Sequence, residues 1–166
     1  RDRVLTVGDP GADLAHAAVV ERHHATGRIG LGYVTGFGIE RGAMASTVAH
    51  DGHNCVTVGA PGAGADMAAA VARLAELGGG QVAVLDGQVV GEVPLPLAGL
   101  MSDLPAAEVA GQLHALGEAA ATRLGTTVEE PFMQLSFFAL SVIPELRLTD
   151  GGLVDVGRFD YVPVEA

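Results

Sequence analysis

Four of the six histidines fall into two compact groups: His23-His24, directly after Glu21-Arg22, and His50 and His53, on either side of Asp51-Gly52. Imidazole is the commonest protein ligand for metal ions and the side chain best matched to proton transfer near neutral pH. Asp-Gly between two β-rich runs, MASTVAH and HNCVTVG, predicts a hairpin with a two-residue type I′ turn. That register sets His50 opposite His53, Val48 opposite Cys55 and Ser46 opposite Thr57. The two histidine β-carbons then lie about 5 Å apart on one face, close enough to share a metal ion. Asp51 completes or orients such a site, and a third ligand from Glu21 or His23 leaves the open coordination position of a catalytic metal. A plainer reading stands beside it, because turns are wet and polar side chains gather there.

Other reactive side chains carry less. Cys55 shares the predicted histidine-bearing face, so it is either half of a cysteine–histidine pair or small core filler. Ser102-Asp103 reads as a helix start or as a polar loop facing a pocket. Glu129-Glu130 before Pro131 reads as a solvated turn, since neighbours on an extended segment point opposite ways. His114 reads as the boundary residue of a core-facing helix, and His16 has no visible partner.

The elements that must position these residues follow from periodicity. Eight glycines between Gly8 and Gly42 never form G-x-G-x-x-G and alternate with Leu31, Tyr33, Phe37 and Ile39, which predicts strands with close backbone approaches rather than a nucleotide cradle. Apolar spacing predicts helices over 65–77, ending at Gly78-Gly79-Gly80, and over 105–124, ending at Gly125. Between them Asp86-Gly87 marks a second hairpin. The block 132–143 is a short helix or a strand, and the tail reads as a strand, a turn and a last strand. The order predicts an α+β fold, a mostly antiparallel β-sheet flanked by α-helices, in a single domain over 1–166.

Composition excludes several partners. The chain has 166 residues and a formal charge of −11, and all nine of its positive residues are arginine. Without lysine there is no Schiff base, no P-loop lysine and no lysine carbamate bridging metals. The acidic balance argues against nucleic acid, and no apolar run approaches the roughly 20 residues of a membrane span. A lone cysteine suits a reducing compartment, so the cytoplasm is expected. Arg1 in place of an initiator methionine reads as a processed or trimmed end.

Several long stretches are familiar together: VVERHHATGRIGLGYVTGFGIERGAMASTVAHDGHN, DMAAAVARLAELGGG, LPLPLAGLMSD, PFMQLSFFALSVIPELRLTDGGLVDV and the closing FDYV. From Ala17 to Val162 the chain resembles the C-terminal domain of bacterial adenine deaminase. The resemblance implies a β-sheet flanked by helices and a role in the hydrolysis of adenine to hypoxanthine and ammonia by a metal-activated water. That chemistry belongs mainly to an amidohydrolase barrel preceding the domain, and this sequence has neither a His-x-His pair nor room for a barrel. Against the family, the chain reads as the back third of an enzyme. The motifs that carry over are Glu21 to His23, His50, Asp51, His53, Asn54 and Ser102-Asp103, with Gly52 where the family pattern has serine. They assign Glu21 and Asp51 to catalysis, Asn54, Ser102 and Asp103 to substrate, and His23, His50 and His53 to a divalent metal (Mn, Fe or Zn).

Three functions follow as alternatives. The chain is a piece or subunit of a split adenine deaminase that closes over a barrel partner's active site. Or it is a free-standing metal-dependent hydrolase or lyase acting on a small molecule, a purine or similar heterocycle, through His50 and His53. Or it is a non-catalytic binding or assembly module. Homo-oligomers are expected from an apolar docking face.

Overall fold

In a computed structural model, residues 13–164 are described. The chain builds a six-stranded antiparallel sheet in the order β2-β1-β4-β3-β5-β6 and a three-stranded one, β7-β8-β9. The large sheet consists of β1 (Ala15–Val20), β2 (Ile29–Val34), β3 (Ala43–Ser46), β4 (Cys55–Gly59), β5 (Gly80–Leu85) and β6 (Gln88–Pro94). The helices are α1 (Gly64–Leu77), α2 (Ala106–Ala119) and α3 (Pro131–Phe138). The α+β expectation holds.

Alternation along the strands divides the core in two. On one face Met44, Val56, Val58 and Ala83 pack with Leu116 of α2 and Leu135 of α3. On the other, Ala45, Cys55, Val82 and Val84 pack under Ala70 and Leu74 of α1. Helix α1 lies over β3, β4 and β5, so the β1–β2 part of that face stays open. A groove of about 930 Å³ runs there between α1 and β2, with Leu31 65% exposed on its rim.

Beyond α2 the helical backbone continues as a π-helical turn, Ala120–Leu124, which Gly125 ends with a left-handed φ of 78°. The ambiguous block 132–143 is helical over its first part, as helix α3 with Pro131 at its first turn, and leaves the helix at Ala139. The tail holds three strands rather than two: β7 (Leu146–Thr149), β8 (Gly152–Asp155) and β9 (Asp160–Val162). This small sheet seats on the glycine face of β2. A β-carbon at Gly30 would fall 1.8 Å from the Thr149 carbonyl oxygen, so the close approach expected of this stretch requires glycine there.

One hairpin matches expectation and one does not. Asp86 and Gly87 both take positive φ, 52° and 73°, in the turn between β5 and β6. The β3–β4 connection instead runs from Thr47 to Asn54. Its register sets Ser46 opposite Val56 and Met44 opposite Val58, so the predicted pairs Ser46–Thr57 and Val48–Cys55 do not form. The shift by one residue turns Ser46 and Thr57 to opposite faces. Thr47 leaves the ladder because its N–H bonds to the Gly80 oxygen at 2.9 Å, and the His50 N–H bonds to the Ser136 oxygen at 2.7 Å.

Candidate functional site

Three segments meet at one end of the large sheet: residues 21–26 after β1, the 47–54 loop between β3 and β4, and the segment after β6. Glu21 organises the first. Its carboxylate, although almost fully buried, accepts the backbone N–H groups of His23, His24 and Thr26 and the Thr26 hydroxyl. These bonds, that of the Thr26 backbone foremost, hold it well below its ordinary value of 4.5, at about 2, against the upward pull of burial. A carboxylate so committed is an organiser of the loop and a poor proton acceptor.

Arg22 then reaches across. Its Nε donates to the His53 carbonyl at 2.6 Å and its Nη2 to the Ala98 carbonyl at 2.6 Å. His23 Nε2 lies 2.8 Å from the Gly52 carbonyl, a contact that requires the proton on that nitrogen. From beneath, the buried Thr47 hydroxyl donates to the Gly99 carbonyl at 2.6 Å and accepts the Gly80 N–H at 2.8 Å. The segment after β6 is itself a tight turn, with Leu97 and Met101 bonded to each other through their backbones.

The histidines sit on this frame. The His50 and His53 rings stand 6.2 Å apart between centroids, edge to face, and His50 also leans on Phe137 of α3 at 5.1 Å. They are neighbours through a loop, not through a hairpin pair. Among the described residues His53 Nδ1 and Asn54 Oδ1 are buried atoms without a hydrogen-bond partner, while Asn54 Nδ2 donates to Asp150 Oδ1 at 3.1 Å. Asp51, His53, Asn54 and Asp150 line a small cavity of about 150 Å³. Apolar side chains fringe the cluster: Leu97, Met101, Met133 and Phe137 are all exposed, Met101 at 60%.

The remaining expected residues stand apart from this chemistry. Ser102 Oγ accepts the Leu104 N–H at 3.1 Å, a turn bond, and Asp103 is exposed beside it. Cys55 points under α1, and burial pushes its thiol up to about 12, which leaves no thiolate for a cysteine–histidine pair at neutral pH. His114 is exposed on α2, 3.7 Å from Glu118, and His16 leans on Tyr33.

The donors do not fit a resident metal ion. Among the described residues, no group of three or more His, Cys, Asp or Glu side chains is placed to hold one. Glu21 has given both carboxylate oxygens to hydrogen bonds and His23 has given Nε2 to a carbonyl. Sequence reasoning also missed the residues that tie the cluster together. Arg22 and Thr47 lie inside the quoted motifs, yet their partners are backbone carbonyls from distant segments; nothing in the sequence marks Ala98 or Phe137.

Residues 1–160 match the sequence profile of the adenine deaminase C-terminal domain. The chain belongs to that family. It is 54% identical over 156 residues to an adenine deaminase of Desulfatibacillum aliphaticivorans, covering 94% of this chain and 27% of the relative. Against an adenine deaminase of Brucella anthropi it is 53% identical over 150 residues, 90% of this chain and 26% of the relative. One from Clostridium botulinum (strain Langeland) is 51% identical over 154 residues, 93% of this chain and 25% of the relative. The chain therefore spans about a quarter of these curated relatives, less than the third expected. No helix among the described residues is long and apolar enough to cross a membrane.

Proposed function

We propose that this adenine deaminase C-terminal domain closes the active site of an amidohydrolase barrel, which adds water to adenine and releases hypoxanthine and ammonia. The observation that carries this reading is the convergence of the motif loops 21–26 and 47–54 with the Leu97–Met101 turn at one end of the sheet, ringed by exposed Leu97, Met101 and Phe137. An apolar rim around imidazoles is suited to sealing a cleft against water while presenting polar groups to a small heterocycle. In this reading His50 and His53 face the substrate side, Asp51 and Asn54 supply hydrogen-bonding groups beside them, and the bond-breaking groups lie in the barrel. Ser102 and Asp103 directly follow Met101 of that rim in the chain. The supporting comparisons are relatives named adenine deaminase that carry this domain as about a quarter of their length.

The test is a chimera in which this chain replaces the matched quarter of the Brucella anthropi relative, assayed for ammonia release from adenine. The chimera is expected to be active, the relative without the domain to be impaired, and a His50→Ala/His53→Ala chimera to lose about tenfold or more in kcat/KM. Turnover of adenine by this chain alone, or full activity of the doubly substituted chimera, would show the reading to be wrong.

A further inference from the structure

We infer that Arg22 is the positioning residue of the loop cluster: its forked guanidinium couples the 50–54 loop to the 97–101 turn, so that His53 and the apolar rim behave as one unit. Both carbonyls it binds belong to residues with left-handed backbone, His53 at φ 49° and Ala98 at φ 58°. That region is unfavourable for any residue with a β-carbon and persists where surrounding contacts over-determine it. Here one side chain supplies such a contact to both positions.

The surroundings are shaped for this arginine. Gly99 lies directly beneath the guanidinium, where a β-carbon would fall 2.7 Å from Nη2 and 3.0 Å from Cζ. The Gly99 carbonyl is in turn fixed by the Thr47 hydroxyl. Among the described residues Arg22 makes no ion pair; its hydrogen bonds go to main-chain oxygens, which suits a bridge between loops better than a surface charge pair. Lysine at 22 would keep the charge but not the fork, since a single ammonium on a flexible stem does not present two parallel donors to carbonyls on separate loops.

Amide exchange on this chain tests the coupling without reference to any deaminase activity, so its outcome and that of the chimera are separable. The reporters are the amides of His50 and His53 in one loop and of Leu97, Leu100 and Met101 in the other, each bonded to a backbone oxygen. In Arg22→Lys, protection at both sets is expected to fall together by about tenfold or more while the β1 and β4 amides keep theirs. Adding Ala98→Gly, which allows left-handed φ without strain, is expected to restore protection at 97–101 and leave 50–54 loosened. Loosening of one loop alone, faster exchange across the whole sheet, unchanged protection, or failure of Ala98→Gly to restore its turn would each overturn the assignment.

Discussion

Protonating Glu21 would withdraw the acceptor shared by three backbone N–H groups and a hydroxyl within the 21–26 segment, leaving it to the tethers of Arg22 and His23. Because its folded value lies below its ordinary one, its contribution to stability is complete above about pH 4.5 and is lost as pH falls through about 2. The carboxyl carbon resonance of Glu21 should therefore show an inflection near 2; an inflection at 4.5 or higher would contradict the hydrogen-bonding scheme. Cys55 gives a complementary expectation: with its thiol buried and raised to about 12, alkylation at pH 8 should require denaturant and proceed at the global unfolding rate. Both residues were visible in the sequence as reactive types, but not their environments. Arg22 bonds residues 31 and 76 positions away, and its acceptors are carbonyls that every residue possesses, so no pattern of side chains announces them.

Two of the three Asp-Gly pairs, at 51–52 and 86–87, show what local signals can and cannot decide. Asp86-Gly87 makes the turn its residues favour, because Leu85 pairs with Gln88 and Val84 with Val89 directly beside it. Asp51-Gly52 has the same dipeptide chemistry, yet the flanking residues are drawn elsewhere, Thr47 to β5 and His50 to α3, and the hairpin opens into a loop. Helix α1 was legible from its spacing, since its apolar stripe and glycine stop act within the segment itself. Thr47 is the point where the tertiary demand enters. Replacing it by valine keeps the shape but leaves the Gly80 N–H and the Gly99 carbonyl without their partner, and should cost about 1–3 kcal/mol by urea denaturation. Thr47→Ser, which retains the hydroxyl, should recover most of that loss, whereas equal destabilisation by both would assign the effect to packing.

For the whole molecule, the small sheet and the large one are held together where β2 has no side chain. Gly30→Ala would drive a methyl group into the Thr149 carbonyl, and about 3 kcal/mol of destabilisation is expected, with protease cleavage between α3 and β7 appearing before general unfolding. Intact resistance in that variant would mean the two sheets are not joined through this contact. The opposite side of the same strand has a consequence for handling the domain. Ile29, Leu31 and Tyr33 are exposed along an edge strand that carries no charged residue, on a chain with a formal charge of −11. Mutual repulsion is then what keeps such edges apart in dilute buffer. Raising the ionic strength from about 0.1 M to 1 M shortens the screening length from about 10 Å to about 3 Å, so light scattering should grow with salt and Leu31→Glu should abolish that growth. The isolated domain is thus expected to be colloidally stable at low salt and to precipitate under the conditions usually chosen to make proteins behave.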